Sequence, residues 1–214
     1  MSGSRFDAVV FDLLTALLDS WTLWNHIAES EERGGEWRAA YLRRTYEARR
    51  YRPYETLVAE AAIEVGLPSA LAGRLAARYH ELKPWPEVHE VLGILRREDL
   101  KLSVVTNCSE TLGATAVCCT GIDFDVVVTA ERAGYYKPDP RPYERAIAEL
   151  GVTAARCLFV AGSAYDLFGA SNLGMPAYWH DRIGMKPPPS MPEPLAYHRT
   201  LRPLPDVVRG QAVE

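Results

Sequence analysis

The sequence predicts an α/β fold in which a parallel sheet carries a helical insertion after its first strand. Three observations predict it. Apolar runs of strand length recur at residues 6–11, 102–105, 124–128 and 157–160. Helical segments separate the later runs, and alternation of strand and helix implies parallel strands joined by right-handed crossovers. Between the first run and the second, over residues 20–83, strand-like runs cease and apolar residues take helical spacing.

The first strand is Phe6-Asp7-Ala8-Val9-Val10-Phe11, which opens directly into Asp12. In the insertion, Trp21, Trp24 and Ile27 mark one helix, Trp37, Tyr41 and Thr45 a second, and Leu57, Ala61 and Val65 a third. Gly34-Gly35 is expected to separate the first two, Arg52-Pro53 to break the second, and Gly66-Leu67-Pro68 to end the third, by supplying turns or removing amide donors. Lys83-Pro84-Trp85-Pro86 returns the chain as a stiff hinge. Residues 88–97 then read as a helix, 102–105 as a strand, 143–150 as a helix and 158–160 as a strand. The segment 185–194 holds five prolines and is expected to be irregular, ahead of Leu204-Pro205-Asp206-Val207-Val208. Residues 1–19 and 84–214 therefore form the expected core, with 20–83 inserted.

A length of 214 residues with 48% hydrophobic content accommodates one full core and a modest insertion. The net charge of -4 gives no general attraction for nucleic acid. The arginines at 43, 44, 49 and 50 are read as a solvated helix face. Cys108, Cys118, Cys119 and Cys157 have neither a metal-binding spacing nor the density of a disulfide scaffold, so they read as reduced thiols. No apolar stretch approaches the roughly 20 residues needed to span a bilayer, and the N-terminus lacks a charged region followed by an apolar one. The expected location is cytoplasmic, with no membrane partner.

Each strand-like run ends at residues able to do chemistry: Asp12 after the first, Thr106-Asn107 after the second, Lys137 beyond the third, and Gly162, Ser163 and Asp166 after the fourth. In open α/β sheets, ligands collect beyond the carboxyl ends of the strands. The repetition implies one assembled site.

Asp12, Thr106-Asn107, Lys137 within YYKPDPRPYERA and Asp166 within LFVAGSAYDLFGASNLGMPAYW resemble, in that order, the four motifs of the haloacid dehalogenase superfamily. The resemblance implies a Rossmann-like core carrying a helical cap, and an aspartyl covalent intermediate. Catalytic roles then fall to Asp12 as nucleophile, Lys137 as the cation steadying it, and Asp166 as the group orienting or deprotonating water, helped by Ser163. Thr106 and Asn107 become binders of an anionic group. Trp37-Arg38 resembles the Trp-Arg pair of the 2-haloacid dehalogenase cap, which makes Arg38 the halide or carboxylate binder. Tyr54, Tyr143 and Tyr165 match positions of aromatics near the pocket in those enzymes.

The superfamily's phosphatases carry a second acid two residues after the nucleophile and bind magnesium. Here position 14 is Leu, and Ala161 stands where another metal-binding acid is expected. The expected activity is therefore metal-independent hydrolysis of a small anionic (S)-2-haloalkanoate, with no cofactor. The alternatives are a magnesium-dependent phosphatase of the same superfamily and a noncatalytic ligand-binding relative. The first motif also lacks its usual Gly-Thr, reading Asp12-Leu13-Leu14-Thr15-Ala16, so the loop is expected to be altered, with Thr15 substituting for the missing hydroxyl, and in the fourth motif Ala161 and Gly162 stand where the resemblance implies polar residues. Trp21 and Trp24 have two readings, a homodimer contact or core packing.

Overall fold

In the computed structural model, which describes residues 4–211, six parallel strands form one sheet. The expected core's outermost residues, 1–3 and 212–214, lie outside the described residues. The strands are β1 (Ala8–Phe11), β2 (Lys101–Thr106), β3 (Val126–Thr129), β4 (Cys157–Ala161), β5 (Ala177–His180) and β6 (Ala196–His198). Their order is β3-β2-β1-β4-β5-β6, the doubly wound Rossmann-like arrangement. The order reverses between β1 and β4. That is where such sheets open a crevice for ligands.

Four helices follow β1: α1 (Ser20–Ile27), α2 (Glu31–Ala48), α3 (Tyr54–Glu64) and α4 (Ala70–Ala77). After them come α5 (Val88–Arg97), α6 (Glu110–Thr120), α7 (Ala130–Ala133), α8 (Pro140–Leu150), α9 (Asp166–Asn172) and α10 (Leu204–Arg209). Successive side chains of a strand point to opposite faces, so a sheet covered on both sides needs apolar residues throughout its central strands. Val9, Phe11, Leu102, Val104, Leu158 and Val160 face one core, which is continuous with α5 and the inserted helices. Ala8, Val10, Val105 and Phe159 face the other, with Tyr143, Ala146, Leu167 and Ala170 of α8 and α9.

The expected break at Gly34-Gly35 does not occur, because both glycines lie inside α2. The chain turns earlier, at Ala28–Glu29, and Ser30 caps α2 by accepting from Arg33 N–H. Gly34 is instead a crossing point between helices: a Cβ there would fall 2.6 Å from the Asn25 Cα of α1, whereas one on Gly35 would meet nothing within 4 Å. The second helix also ends before Arg52-Pro53, at Arg49, whose φ of 53° leaves the helical region. On its outer face Arg43 and Arg44 pair with Glu64 and Glu60 of α3.

The two chain crossings between the insertion and the sheet are bonded to each other. Asp19 N–H donates to Lys83 C=O at 2.8 Å and Trp85 N–H to Leu17 C=O at 3.0 Å. Residues 182–195 contain no helix or strand, and no helix of the described residues is long and apolar enough to cross a membrane. Trp24 is buried in the core, while Trp21 lies in the pocket described below.

The two glycines of α2 should respond in opposite directions when replaced. Gly34→Ala forces α1 and α2 apart and should cost about 1–3 kcal/mol despite alanine's helix propensity. Gly35→Ala meets open space and should gain up to about 1 kcal/mol. Urea unfolding of both variants checks this, and equal effects would remove the close-crossing account.

Candidate active site

Asp12 begins where β1 ends, its N–H still bonded to Val160 C=O of β4 at 2.9 Å. The next residues curl back over its own side chain. Asp12 Oδ2 accepts from Thr15 N–H at 3.0 Å, Thr15 Oγ1 at 2.5 Å and Ala16 N–H at 3.2 Å. Asp12 Oδ1 faces Lys137 Nζ at 2.7 Å. The same ammonium lies 3.2 Å from Asp166 Oδ1 at the start of α9. Both carboxylates and the ammonium are buried.

Burial pushes the Asp12 carboxyl up, but the Lys137 charge and the donors from Lys137 and Thr15 outweigh it and hold Asp12 below the usual carboxylate range. Asp166 has the weaker share of the same cation. Burial, with the Asp12 charge adding to it, raises Asp166 to about 6 against the opposing pull of Lys137 and the Tyr143 hydroxyl. Burial alone would lower Lys137, yet its two carboxylate neighbours keep it above its ordinary value and charged. One member is poised as an anion and the other close to its titration point. Such a split separates a nucleophile from a group that exchanges protons.

The loops after β2 and β3 are tied together across the site. Asn107 Oδ1 accepts from Lys137 N–H at 2.7 Å and Asn107 Nδ2 donates to Lys137 C=O at 3.2 Å. Asn107 thus holds the lysine backbone in place, leaving one amide hydrogen for a ligand. Thr106 Oγ1 lies 3.4 Å from Cys108 Sγ, and both Thr106 and Asn107 line the pocket.

Arg38 of α2 reaches the same pocket from above. Its Nη1 donates to Ser20 Oγ at 2.6 Å, and its guanidinium lies 4.2 Å from the centre of the Trp21 ring. Arg38 Nε is buried without a protein partner among the described residues, which leaves a donor of a buried cation for an anion. The cavity between Arg38 and Asp12 measures about 40 Å³, so it suits a molecule of few heavy atoms. Ser163 lines it beside Asp166.

Three expected pocket aromatics stand elsewhere. Tyr54 is buried behind Tyr41, with its hydroxyl 2.8 Å from that of Tyr79, because α3 packs its first turn inward. Tyr165 stacks on Tyr46 at 4.8 Å, partly exposed, and does not line the cavity. Tyr143 lies beneath Asp166 and donates to its Oδ1 at 3.2 Å. Thr15, expected to supply the first motif's missing hydroxyl, donates it to Asp12 although it borders the cavity. The walls are instead Leu14, Trp21, Tyr41, Leu42, Tyr46 and Met185. Leu42 and Tyr46 follow Arg38 at four-residue steps on one helix, a signal the sequence already held.

The side-chain donors that a magnesium ion would meet here are few, and both are engaged by an ammonium. Among the described residues Asp12 and Asp166 are the only carboxylates of the cavity, Lys137 Nζ is bonded to both, and Leu14 and Ala161 bring no oxygen from their side chains. No cluster of three or more His, Cys, Asp or Glu with metal-holding geometry occurs among the described residues.

The family model for haloacid dehalogenase-like hydrolases matches residues 9–179. An (S)-2-haloacid dehalogenase of Pseudomonas sp. (strain YL) is 36% identical over 112 residues, covering 51% of this chain and 48% of that protein. A phosphatase of Mycobacterium tuberculosis is 38% identical over 103 residues, covering 47% of this chain and 48% of that protein. The chain thus spans about half the length of these curated relatives. The structure of L-2-haloacid dehalogenase from Xanthobacter autotrophicus with chloropropionic acid covalently bound matches with a TM-score of 0.86 at 25% identity, over 97% of this chain and 100% of that one.

Carbon-13 NMR of the aspartate carboxyls should show one group titrating near pH 6, assigned to Asp166 by its loss in Asp166→Asn. Tyr143→Phe removes a hydrogen bond to the charged form, so this midpoint should move upward. Titration of every carboxyl in the ordinary range would contradict the shared-cation arrangement.

Proposed function

The chain belongs to the haloacid dehalogenase-like hydrolases, and on that premise we propose that it hydrolyses small (S)-2-haloalkanoates through an ester on Asp12, without a metal. One observation carries the reading: the two oxygens of Asp12 are used differently. Oδ2 accepts three donors and is saturated, whereas Oδ1 meets only Lys137 among the described residues and keeps acceptor capacity at the edge of the cavity that Asp12 lines. Oδ1 is the attacking atom. It displaces halide from C2 in line, the C–halogen bond breaks with its electron pair on the halide, and the configuration at C2 inverts.

Arg38 receives the substrate carboxylate or the departing halide, for which a weakly hydrated guanidinium is suited. Leu14 cannot protonate a leaving oxygen, and a halide needs no proton. In the second step water attacks Cγ of Asp12 while Asp166 takes its proton. The negative charge then gathers on Oδ2, where the N–H groups of Thr15 and Ala16 and the Thr15 hydroxyl already point. Collapse breaks the bond from Cγ to the esterified oxygen, Asp166 returns the proton to the departing alkoxide, and the Asp12 carboxyl releases the second water proton to solvent, which restores the anion. Thr106 and Asn107 bound the anion site, and helices α1 to α4, within residues 20–83, act as its cap. Relatives named (S)-2-haloacid dehalogenases support the choice of substrate, and the apolar Leu14 and Ala161 weigh against the phosphatase alternative.

Chloride release from (S)-2-chloropropionate should persist in EDTA, vanish in Asp12→Asn, and fall about 10- to 100-fold in kcat/KM in Arg38→Ala, which removes charge-assisted hydrogen bonds. Phosphate release from an aryl phosphate that requires magnesium, without chloride release from the haloacid, would replace this reading by the phosphatase one. Silence with both substrates would favour a noncatalytic relative.

A further inference from the structure

Three consecutive carbonyls beside the nucleophile are each held by a side chain from another part of the chain. Ser20 Oγ donates to Leu14 C=O, Trp85 Nε1 donates to Thr15 C=O at 3.0 Å, and His180 Nδ1 lies 3.0 Å from Ala16 C=O. Burial holds the His180 imidazole below its ordinary value, so it is neutral at pH 7 and donates through Nδ1. The first two carbonyls belong to the Leu14–Thr15 and Thr15–Ala16 peptides. The N–H groups of those same peptides donate to Asp12 Oδ2 at 3.0 and 3.2 Å. A peptide unit is planar, so holding its carbonyl aims its N–H.

Both side chains are themselves held. Ser20 is buried, and its oxygen accepts from Arg38 Nη1 at 2.6 Å, which commits its one proton to Leu14. The Trp85 ring lies 4.8 Å from the Arg182 guanidinium, which pairs with buried Glu87 at 3.0 Å. Glu87 also accepts from the Thr200 hydroxyl at 2.8 Å and from Leu201 N–H at 3.2 Å. The loop contains no glycine, and these bonds hold it from outside.

We propose that Ser20 and Trp85 are positioning residues for the hydrolysis of the aspartyl ester, holding the two N–H donors that stabilise the oxyanion on Asp12 Oδ2. The inference rests on the covalent reading above. It distinguishes the two steps. During ester formation, negative charge leaves the Asp12 carboxylate, so donors aimed at Oδ2 do not favour that transition state over the ground state. During hydrolysis, charge develops on Oδ2 and the same donors count in full. Loosening their aim slows the second step selectively.

The test is rapid mixing with (S)-2-chloropropionate, following chloride release together with the intact mass of the protein. Trp85→Phe keeps a ring and removes the N–H; Ser20→Ala removes the hydroxyl and Ser20→Thr restores one. In Trp85→Phe the first equivalent of chloride should appear at close to the wild-type rate, whereas Ser20→Ala also frees Arg38 Nη1 and is scored on its ester hydrolysis alone. Turnover should then run about tenfold slower, with the ester-bearing chain accumulating, and Ser20→Thr should return towards wild type. If neither variant accumulates ester, or if both steps slow together in Trp85→Phe, Ser20 and Trp85 are structural only and the proposal falls while Asp12-dependent chloride release leaves the dehalogenase reading intact. A wild-type chain that releases no chloride and forms no ester overturns both.

Discussion

One ammonium between two buried carboxylates is the constraint on which the site depends. Lys137, Asp12 and Asp166 arrive from three different strand ends, and none could remain ionised in that setting alone. Removing one partner of a buried ion pair typically costs about 3–5 kcal/mol, because the remaining charge is stranded. The surrounding bonds hold the triad in register: Asn107 grips the backbone of Lys137 from both sides, Tyr143 supports Asp166, and the loop of residues 13–16 closes on Asp12. The strand order places all of this at the switch between β1 and β4.

The strands and the three charged residues were legible because each follows from a local rule. A buried parallel strand is a continuous apolar run, and its carboxyl end is where a polar residue becomes useful. Gly34-Gly35 misled for the opposite reason, since nothing local distinguishes a glycine that breaks a helix from one that lets two helices touch. The aromatics failed similarly. Tyr54 and Tyr41 are both buried helical tyrosines, and only the packing of α3 on α2 decides which of them reaches the cavity. Strands β5 and β6 were not anticipated; β6 is a short edge strand that is only partly buried, which leaves a weak apolar signature, and β5, though buried, is only four residues long and ends in His180.

Two departures from the family pattern explain each other. The first motif lacks its glycine and carries Leu14-Thr15 instead, while the fourth carries Gly162 where the dehalogenases have a polar residue. In the fold these positions touch: a Cβ on Gly162 would sit 2.6 Å from the Thr15 carbonyl carbon. The bulkier loop occupies space that the later glycine vacates. What reads along the chain as two defects is, in three dimensions, one substitution shared between two segments.

Among the residues lining the cavity, Met185 alone comes from the irregular stretch between β5 and β6. Its backbone is anchored by Asp181, which accepts from Met185 N–H at 2.7 Å, but its thioether side chain has several free rotations. The sheet therefore sets the floor of the chamber, while one part of its wall comes from a segment that bears no strand pairing. A change of side chain at residue 185 reshapes that part of the wall while leaving Asp12, Lys137 and Asp166 in place.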